Sequence, residues 1–392
     1  MTIALSERIQ AIKPSATLAV SQKARELRAA GKDVISLSAG EPDFPTPEHI
    51  KEAAIAAINA NHSHYTNVDG IIELKQAVVD KLQRENNLSF TTDEIIFSTG
   101  AKQSIFNALE VLLNPGDEVL IPAPYWVSYP DMVKLTGAKP VFITTDIQQH
   151  FKITAEQLEK SITAHTKICF LNSPSNPTGV EYSADELKAL GAVFKKHPHI
   201  AILCDDIYEH LRWSGKSFTT LLNVCPELKS QIIIINGVSK AYAMTGWRIG
   251  YAAAPAAIAK AMKKLQSQTT SNACVIAQYA AMAALNGGLD CIQSMVAAFK
   301  KRGELVTKAF ANIPGFECLP VTASLYAFVN IEQAIKNKNL ANDIEFADYL
   351  LEQANIAVVP GSPFGLANYI RISIATSEQN LNNAIERIQS IM

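Results

Sequence analysis

The chain has 392 residues with 48% hydrophobic content, enough to fill one large core and a smaller second one. Its 35 basic and 37 acidic residues leave a net charge of -2 with no basic block, which argues against nucleic-acid binding driven by overall charge. No apolar run approaches the roughly 20 residues of a membrane span, and Glu7 and Arg8 interrupt Met1 to Ile12 too early for a secretory leader. Six scattered cysteines without a C-x-x-C pair, several in apolar runs, suit reduced, buried thiols and no metal site. The expectation is a soluble cytoplasmic protein.

In chain order, Ser21 to Ala30 carries a helical pattern that Gly31 ends. Val34 to Ser38 reads as a short strand. It runs into the Pro-rich loop Ala39 to Pro47, which fits neither a helix nor a central strand, and Thr46-Pro47-Glu48 opens the next helix. Such a loop is commonly a domain crossing, and Gly40 can also bring backbone N–H groups near an anion. From Glu94 to Ala254 strand and helix patterns alternate. Strands are expected at Ile95–Ser98, Glu118–Pro122, Pro140–Thr144, Ile168–Asn172, Ile200–Cys204, Ile232–Asn236 and Ile249–Ala254. Helix patterns such as Ser104–Leu113 and Ala184–Lys196 lie between them. Continuous apolar strands alternating with helices mean an α/β fold: a mainly parallel seven-stranded sheet covered on both faces.

After Met295 the pattern becomes α+β. A helical stretch, Phe299 to Phe310, leads to strands at Phe316–Pro320 and Leu325–Ile331. A helix near Asp343–Gln353, strands at Ala357–Val359 and Tyr369–Ile374, and a helix from Glu378 follow. The expected organisation is an N-terminal segment (1–48) packing with a small C-terminal domain (296–392), beside a large domain (49–295).

The chemistry centres on Ile232 to Tyr251. Four isoleucines form a strand buried on both faces, and Asn236-Gly237-Val238-Ser239-Lys240 follows at its carboxyl end, where ligands gather in open α/β sheets. An amine so placed can form a Schiff base with a carbonyl, the covalent chemistry of pyridoxal phosphate. That cofactor makes further demands. Its phosphate needs helix-terminal N–H groups, hydroxyls and a guanidinium, which Ser98-Thr99-Gly100-Ala101-Lys102-Gln103, Ser239 and Arg248 can supply. Its ring nitrogen needs a carboxylate, for which Asp205 stands after a strand, with Tyr208 three residues on. Asn176, in a loop stiffened by Pro174 and Pro177, can donate to a ring oxygen, and Trp126 can stack on the ring. Arg371 lies in the apolar strand Tyr369–Ile374 and needs an anionic partner, either an internal carboxylate or a substrate's. Each residue alone has a plainer reading: a surface lysine, a helix cap, a tight turn, a core indole, an internal ion pair. Five of these sites fall at sheet-strand ends, where one cleft gathers them.

On these motifs, and from Lys13-Pro14-Ser15-Ala16-Thr17 through Gly40-Glu41-Pro42-Asp43-Phe44 to Arg371-Ile372-Ser373, the chain resembles the fold-type I, class I pyridoxal-phosphate aminotransferases. The resemblance is to the aspartate and aspartate/prephenate branch. It implies Lys240 as Schiff-base lysine and proton shuttle, Asp205 beside the pyridinium, and Tyr208 and Asn176 on the ring oxygen. It implies Trp126 stacked on the ring, with Gly100, Ala101, Ser239 and Arg248 on the phosphate. Arg371, the Gly40 backbone and Asn176 would take the substrate α-carboxylate. Tyr65 would reach a neighbouring subunit's phosphate, which implies a homodimer with shared sites. Lys102 would meet a distal carboxylate, and Lys13 and Thr17 match positions associated with prephenate. Gly237 stands where many relatives carry a hydroxyl.

The implied reaction is ping-pong transamination from aspartate, or a related amino acid, to 2-oxoglutarate. The alternatives are a prephenate, aromatic or alanine-type aminotransferase, and a lyase using the same cofactor. A serine hydrolase fails because no histidine follows Ser239. Dinucleotide and P-loop motifs are absent. A non-catalytic regulator would need a further binding module, for which the chain has no spare segment.

Overall fold

The computed structural model describes residues 3–392. Met1 and Thr2, part of the stretch read for a leader and of the expected 1–48 segment, lie outside the described residues. After one turn of helix at Glu7–Gln10, a helix spans Ala16–Ala29, and strand β1 covers Ile35–Ser36. The longer helix starts five residues before the expected Ser21: Ser15, after Pro14, holds an extended conformation at its N-cap.

Seven strands form one sheet: β2 (Ile95–Ser98), β3 (Glu118–Ala123), β4 (Lys139–Thr144), β5 (Thr166–Asn172), β6 (Ala201–Asp205), β7 (Ile232–Gly237) and β8 (Gly250–Ala253). Their order is β2-β8-β7-β6-β5-β3-β4. β8 runs antiparallel to both neighbours, and the other adjacent pairs are parallel. The mainly parallel sheet expected from the sequence is therefore present. The isoleucines of β7 explain its stability directly. Ile232 and Ile234 enter one apolar cluster, Ile233 and Ile235 the other, as a period of two requires of a strand covered on both faces.

The remaining strands are β9 (Glu317–Cys318), β10 (Tyr326–Asn330), β11 (Ile356–Ala357), β12 (Val359–Pro360) and β13 (Tyr369–Ser373). β12, β13, β10 and β9 form an antiparallel sheet, while β11 pairs in parallel with β1. The single strand expected at Ala357–Val359 is thus two, because the chain changes partner at Val358: Ile356 and Ala357 face Ile35 and Ser36, whereas Val359 faces Arg371. The expected strand Phe316–Pro320 shrinks to two edge residues ahead of Pro320, which cannot donate to a ladder. Residues 33–38 join the C-terminal elements through the β1–β11 pair, the Ser373 N–H to the Leu37 carbonyl (2.8 Å) and an Arg387–Asp33 ion pair. Among the described residues no single helix is long and apolar enough to cross a membrane.

Candidate active site

A cavity of about 770 Å³ opens beyond the carboxyl ends of β3, β5, β6 and β7 and is closed over by β10, β13 and the helix Ala16–Ala29. Six basic residues line it against two acidic ones, Glu41 and Asp205, so it is built for anions. Ala101, Lys102, Trp126, Asn176, Asp205, Tyr208, Ser239, Lys240, Arg248, Arg371, Gly40 and Thr17 all reach its wall. Gly100 lies just behind the wall, against Arg248. Lys13 and Tyr65 are exposed outside it.

Lys240 sits in the turn after β7, and its amine donates to the Gly40 carbonyl. Burial holds its pKa below the ordinary lysine value, the positive Arg371 and Arg248 nearby adding to the shift while Tyr326 and Glu41 oppose it. Its Nζ lies 6.0 Å from the centre of the Tyr208 ring.

Asp205 ends β6 and is buried. Tyr129 donates to its Oδ2 at 2.6 Å and the Ile207 N–H to its Oδ1 at 3.4 Å. Desolvation nevertheless pushes the carboxyl up to about 6 from 3.8. The raised value means that the folded state holds the proton more tightly than the unfolded chain. Stability from this group is therefore present below pH 3.8 and lost as pH rises to about 6. The two-unit difference amounts to about 3 kcal/mol. Asp205→Asn, which keeps an acceptor for Tyr129, is expected to remove this loss. Urea unfolding of the cofactor-free wild type and variant at pH 4.5 and 7 checks it, and an equal pH response in both would contradict the assignment.

The turn between β2 and the helix Ala101–Leu112 is shaped by Gly100, at φ +84°. A Cβ there would meet the Arg248 Nη2 at 2.5 Å, so the guanidinium rests against bare backbone. A Cβ on Gly250 would likewise collide with the Ala101 backbone nitrogen. The Gln103 N–H turns back to the Gly100 carbonyl at 3.0 Å, and the N–H groups of Ala101 and Lys102 at the helix start could, with Arg248 and Ser239, cradle an anion. Lys102 follows, its Nζ 4.8 Å from the centre of the Trp126 ring. Burial first, then Arg248 and Lys240, lower its pKa.

Arg371 on β13 is 1% exposed. Nη2 donates to the Ser38 carbonyl at 2.8 Å and Nη1 to Asn176 Oδ1 at 3.1 Å, while Nε has no partner. Its charge otherwise faces the Tyr326 and Phe364 rings, 4.3 and 5.0 Å away. Among the described residues no carboxylate pairs with it, so the internal ion pair that the sequence left open is absent. A buried guanidinium held only by neutral groups retains capacity for an anion.

Four contributors were not singled out in the sequence. Tyr129 bonds Asp205; it lies three residues after Trp126, a helical spacing that is a usable signal. Tyr326 meets Tyr208 hydroxyl to hydroxyl at 3.1 Å. It shares one face of β10 with Phe328, the residue opposite Arg371 on β13, which the two-residue period allows. Asn172 accepts from the Asn176 N–H at 2.9 Å and donates to the Asp205 carbonyl at 2.8 Å, tying the two loops together. The Ser38 carbonyl carries no sequence signal. Tyr208, three residues after Asp205, reaches the cavity from a turn.

The family profile described as aminotransferase class I and II matches residues 32–388. The chain is 54% identical to the aspartate/prephenate aminotransferase of Nitrosomonas europaea, over 99% of both sequences. It is 48% identical to the aspartate aminotransferase of Geobacillus stearothermophilus, covering 99% of this chain and 98% of that one. Among solved structures, the Rhizobium meliloti aspartate aminotransferase superposes with a TM-score of 0.96 at 46% identity, covering 99% of this chain and 98% of that one. The Thermus thermophilus aspartate aminotransferase with maleate gives 0.93 at 39%, over all of both chains.

Proposed function

The chain belongs to the class I and II aminotransferases, and from that premise we propose that it moves the amino group of L-aspartate, or a related amino acid, to 2-oxoglutarate. The observation that carries this reading is the buried, carboxylate-free Arg371 lining the same cavity as the Lys240 amine and Lys102. The family's cofactor is pyridoxal 5'-phosphate. Its fit is supported by the Gly100 cradle, which a Cβ would fill, and by a buried carboxyl at Asp205. In this reading Asp205 would face the ring nitrogen, Trp126 the ring, and Tyr208 and Asn176 the ring oxygen. Ser239, Arg248 and the Gly100–Ala101 backbone take the phosphate.

When bound, the cofactor supplies an aldehyde for the amino group and a ring that withdraws electrons from the substrate Cα. Lys240, its proton loosened by desolvation, would take the proton from the substrate Cα and hold it within the cavity for return across the transferred nitrogen. Arg371 holds the α-carboxylate and so fixes which Cα bond faces Lys240, favouring proton removal over loss of carbon dioxide. Tyr129 and the Ile207 N–H hold Asp205 in place during these steps.

Lys102 is proposed to meet the distal carboxylate; the maleate in the Thermus structure is a dicarboxylate of the matching kind. A charge-assisted contact there is worth about 1.5–3 kcal/mol. Lys102→Ala is therefore expected to lower kcat/KM for aspartate about 10- to 100-fold and for alanine less than about threefold. Equal losses would remove the assignment. Prephenate is proposed as a further amino acceptor, as the names of several relatives suggest. Thr17 would contact it from the cavity wall, and Lys13, exposed outside the cavity, would be a second contact. Assays across donors and oxo acids test both substrates, and recovery of 2-oxo acid distinguishes transfer from a lyase reaction.

We further propose a homodimer in which Tyr65, 88% exposed here and following a helix that exposes Ile55 and Ile58, completes the partner's site. Sedimentation as a single chain would refute it. Unpaired thiols at all six cysteines support a reducing, cytoplasmic setting. The β1–β11 pair and the Lys23–Asp348 contact support residues 1–48 acting with 296–392 as a unit beside 49–295.

A further inference from the structure

Gln266 lies one residue before the end of the helix Ala256–Ser267 and is completely buried, outside the cavity. A buried amide is costly unless both ends are satisfied, and here both are. Its Oε1 accepts from Ser98 Oγ at 2.7 Å and from Asn107 Nδ2 at 3.0 Å. Its Nε2 donates to the Val68 carbonyl at 2.7 Å and the Phe97 carbonyl at 2.8 Å.

These four partners belong to three separate pieces of chain. Phe97 and Ser98 end β2 and lead into the turn at Thr99–Ala101. Asn107 is in the helix that the turn opens. Val68 closes the segment that carries Tyr65. The corner after Gln266 adds a second strut: Thr270 Oγ1 accepts from Gln103 Nε2 at 2.5 Å, and Gln103 Oε1 accepts from the Thr99 N–H at 2.5 Å. The anion cradle is thus suspended from the end of one helix through side-chain amides, which no contact in the cavity requires.

We propose that Gln266 is a positioning residue for the anion-binding turn, setting where the Gly100–Ala101 backbone stands relative to Arg248, and acting through Ser98. The inference rests on the cofactor reading above. A preorganised anion site displaced by a fraction of an ångström loses affinity for the anion alone, whereas general loosening of the fold weakens every ligand.

The test is equilibrium binding to the cofactor-free, full-length protein of two probes, pyridoxal 5'-phosphate and pyridoxal, which lacks the phosphate. Gln266→Met keeps the volume and removes all four bonds. The expected result is a rise in Kd of about tenfold for pyridoxal 5'-phosphate and less than about twofold for pyridoxal. Ser98→Ala, which cuts only the link to the turn, is expected to give the same selectivity at about threefold, and it carries the test should the first variant not fold. Equal weakening of both probes, or no weakening of either, overturns the proposal. Failure of the wild-type protein to bind pyridoxal 5'-phosphate would instead overturn the cofactor reading beneath it.

Discussion

Replacing Lys240 with alanine is expected to lower steady-state transamination by at least about 10⁴-fold, the upper range for loss of a positioned general base, while the protein stays folded. Both halves of that result follow from the surroundings. The amine is partly buried in the cavity wall, desolvation depresses its pKa, and it donates to a backbone carbonyl instead of pairing with a carboxylate. Removing a desolvated cation that no carboxylate bonds directly, with only the exposed Glu41 attracting it, leaves no buried charge behind, so the thermal midpoint is expected to hold or rise. Lys240→Arg separates charge from chemistry. It keeps the cation but neither the nucleophile nor a base that can lose its proton near neutrality, and it is expected to be as inactive as alanine. A Lys240→Ala protein retaining a per cent or more of wild-type turnover would contradict the role.

Arg371→Ala is the second large effect. Truncating one member of a buried, hydrogen-bonded charge pair costs about 3–5 kcal/mol, or 10²- to 10⁴-fold in kcat/KM. In the proposed function the other member arrives with the substrate. The loss is therefore expected for every α-amino acid, aspartate and alanine alike, because the contact is to the carboxylate they share. Stability is expected to fall by less than for a truncated internal pair, since Nε is already without a partner. Arg371→Lys is expected to recover only part of the activity, as an ammonium cannot reproduce a two-pronged contact. Kinetics across amino acids of differing side chain decide the matter. A loss confined to aspartate would move Arg371 to the side-chain subsite now given to Lys102.

What the sequence revealed of the fold was what depends on local periodicity. The four isoleucines of β7 specify a strand with two buried faces wherever they are read, and the structure divides them between two apolar clusters accordingly. The turns after β5, β6 and β7 announced their residues because strand ends in such sheets converge. Partner choice was less visible. Nothing between Ile356 and Pro360 says that the chain leaves one sheet for another at Val358, since each strand there is two residues long. Tyr129 reaches Asp205 across 76 residues, and Tyr208 reaches Tyr326 across 118; both are aromatics in apolar surroundings that read as core. Gln266 is further from view, because a buried amide and an exposed one look alike until its four partners assemble. The fate of Arg371 turned on the absence, among the described residues, of any carboxylate beside it, which only three-dimensional packing decides.

The most direct measurement takes the protein with its cofactor bound, reduces it with borohydride and maps the labelled peptide. The expected product is a pyridoxyl group on Lys240, in the peptide that carries Ser239 and Ala241, with none on Lys102. A label on another lysine, or no label on a protein that still transaminates, would contradict the central claim that the amine at the end of β7 carries the reaction.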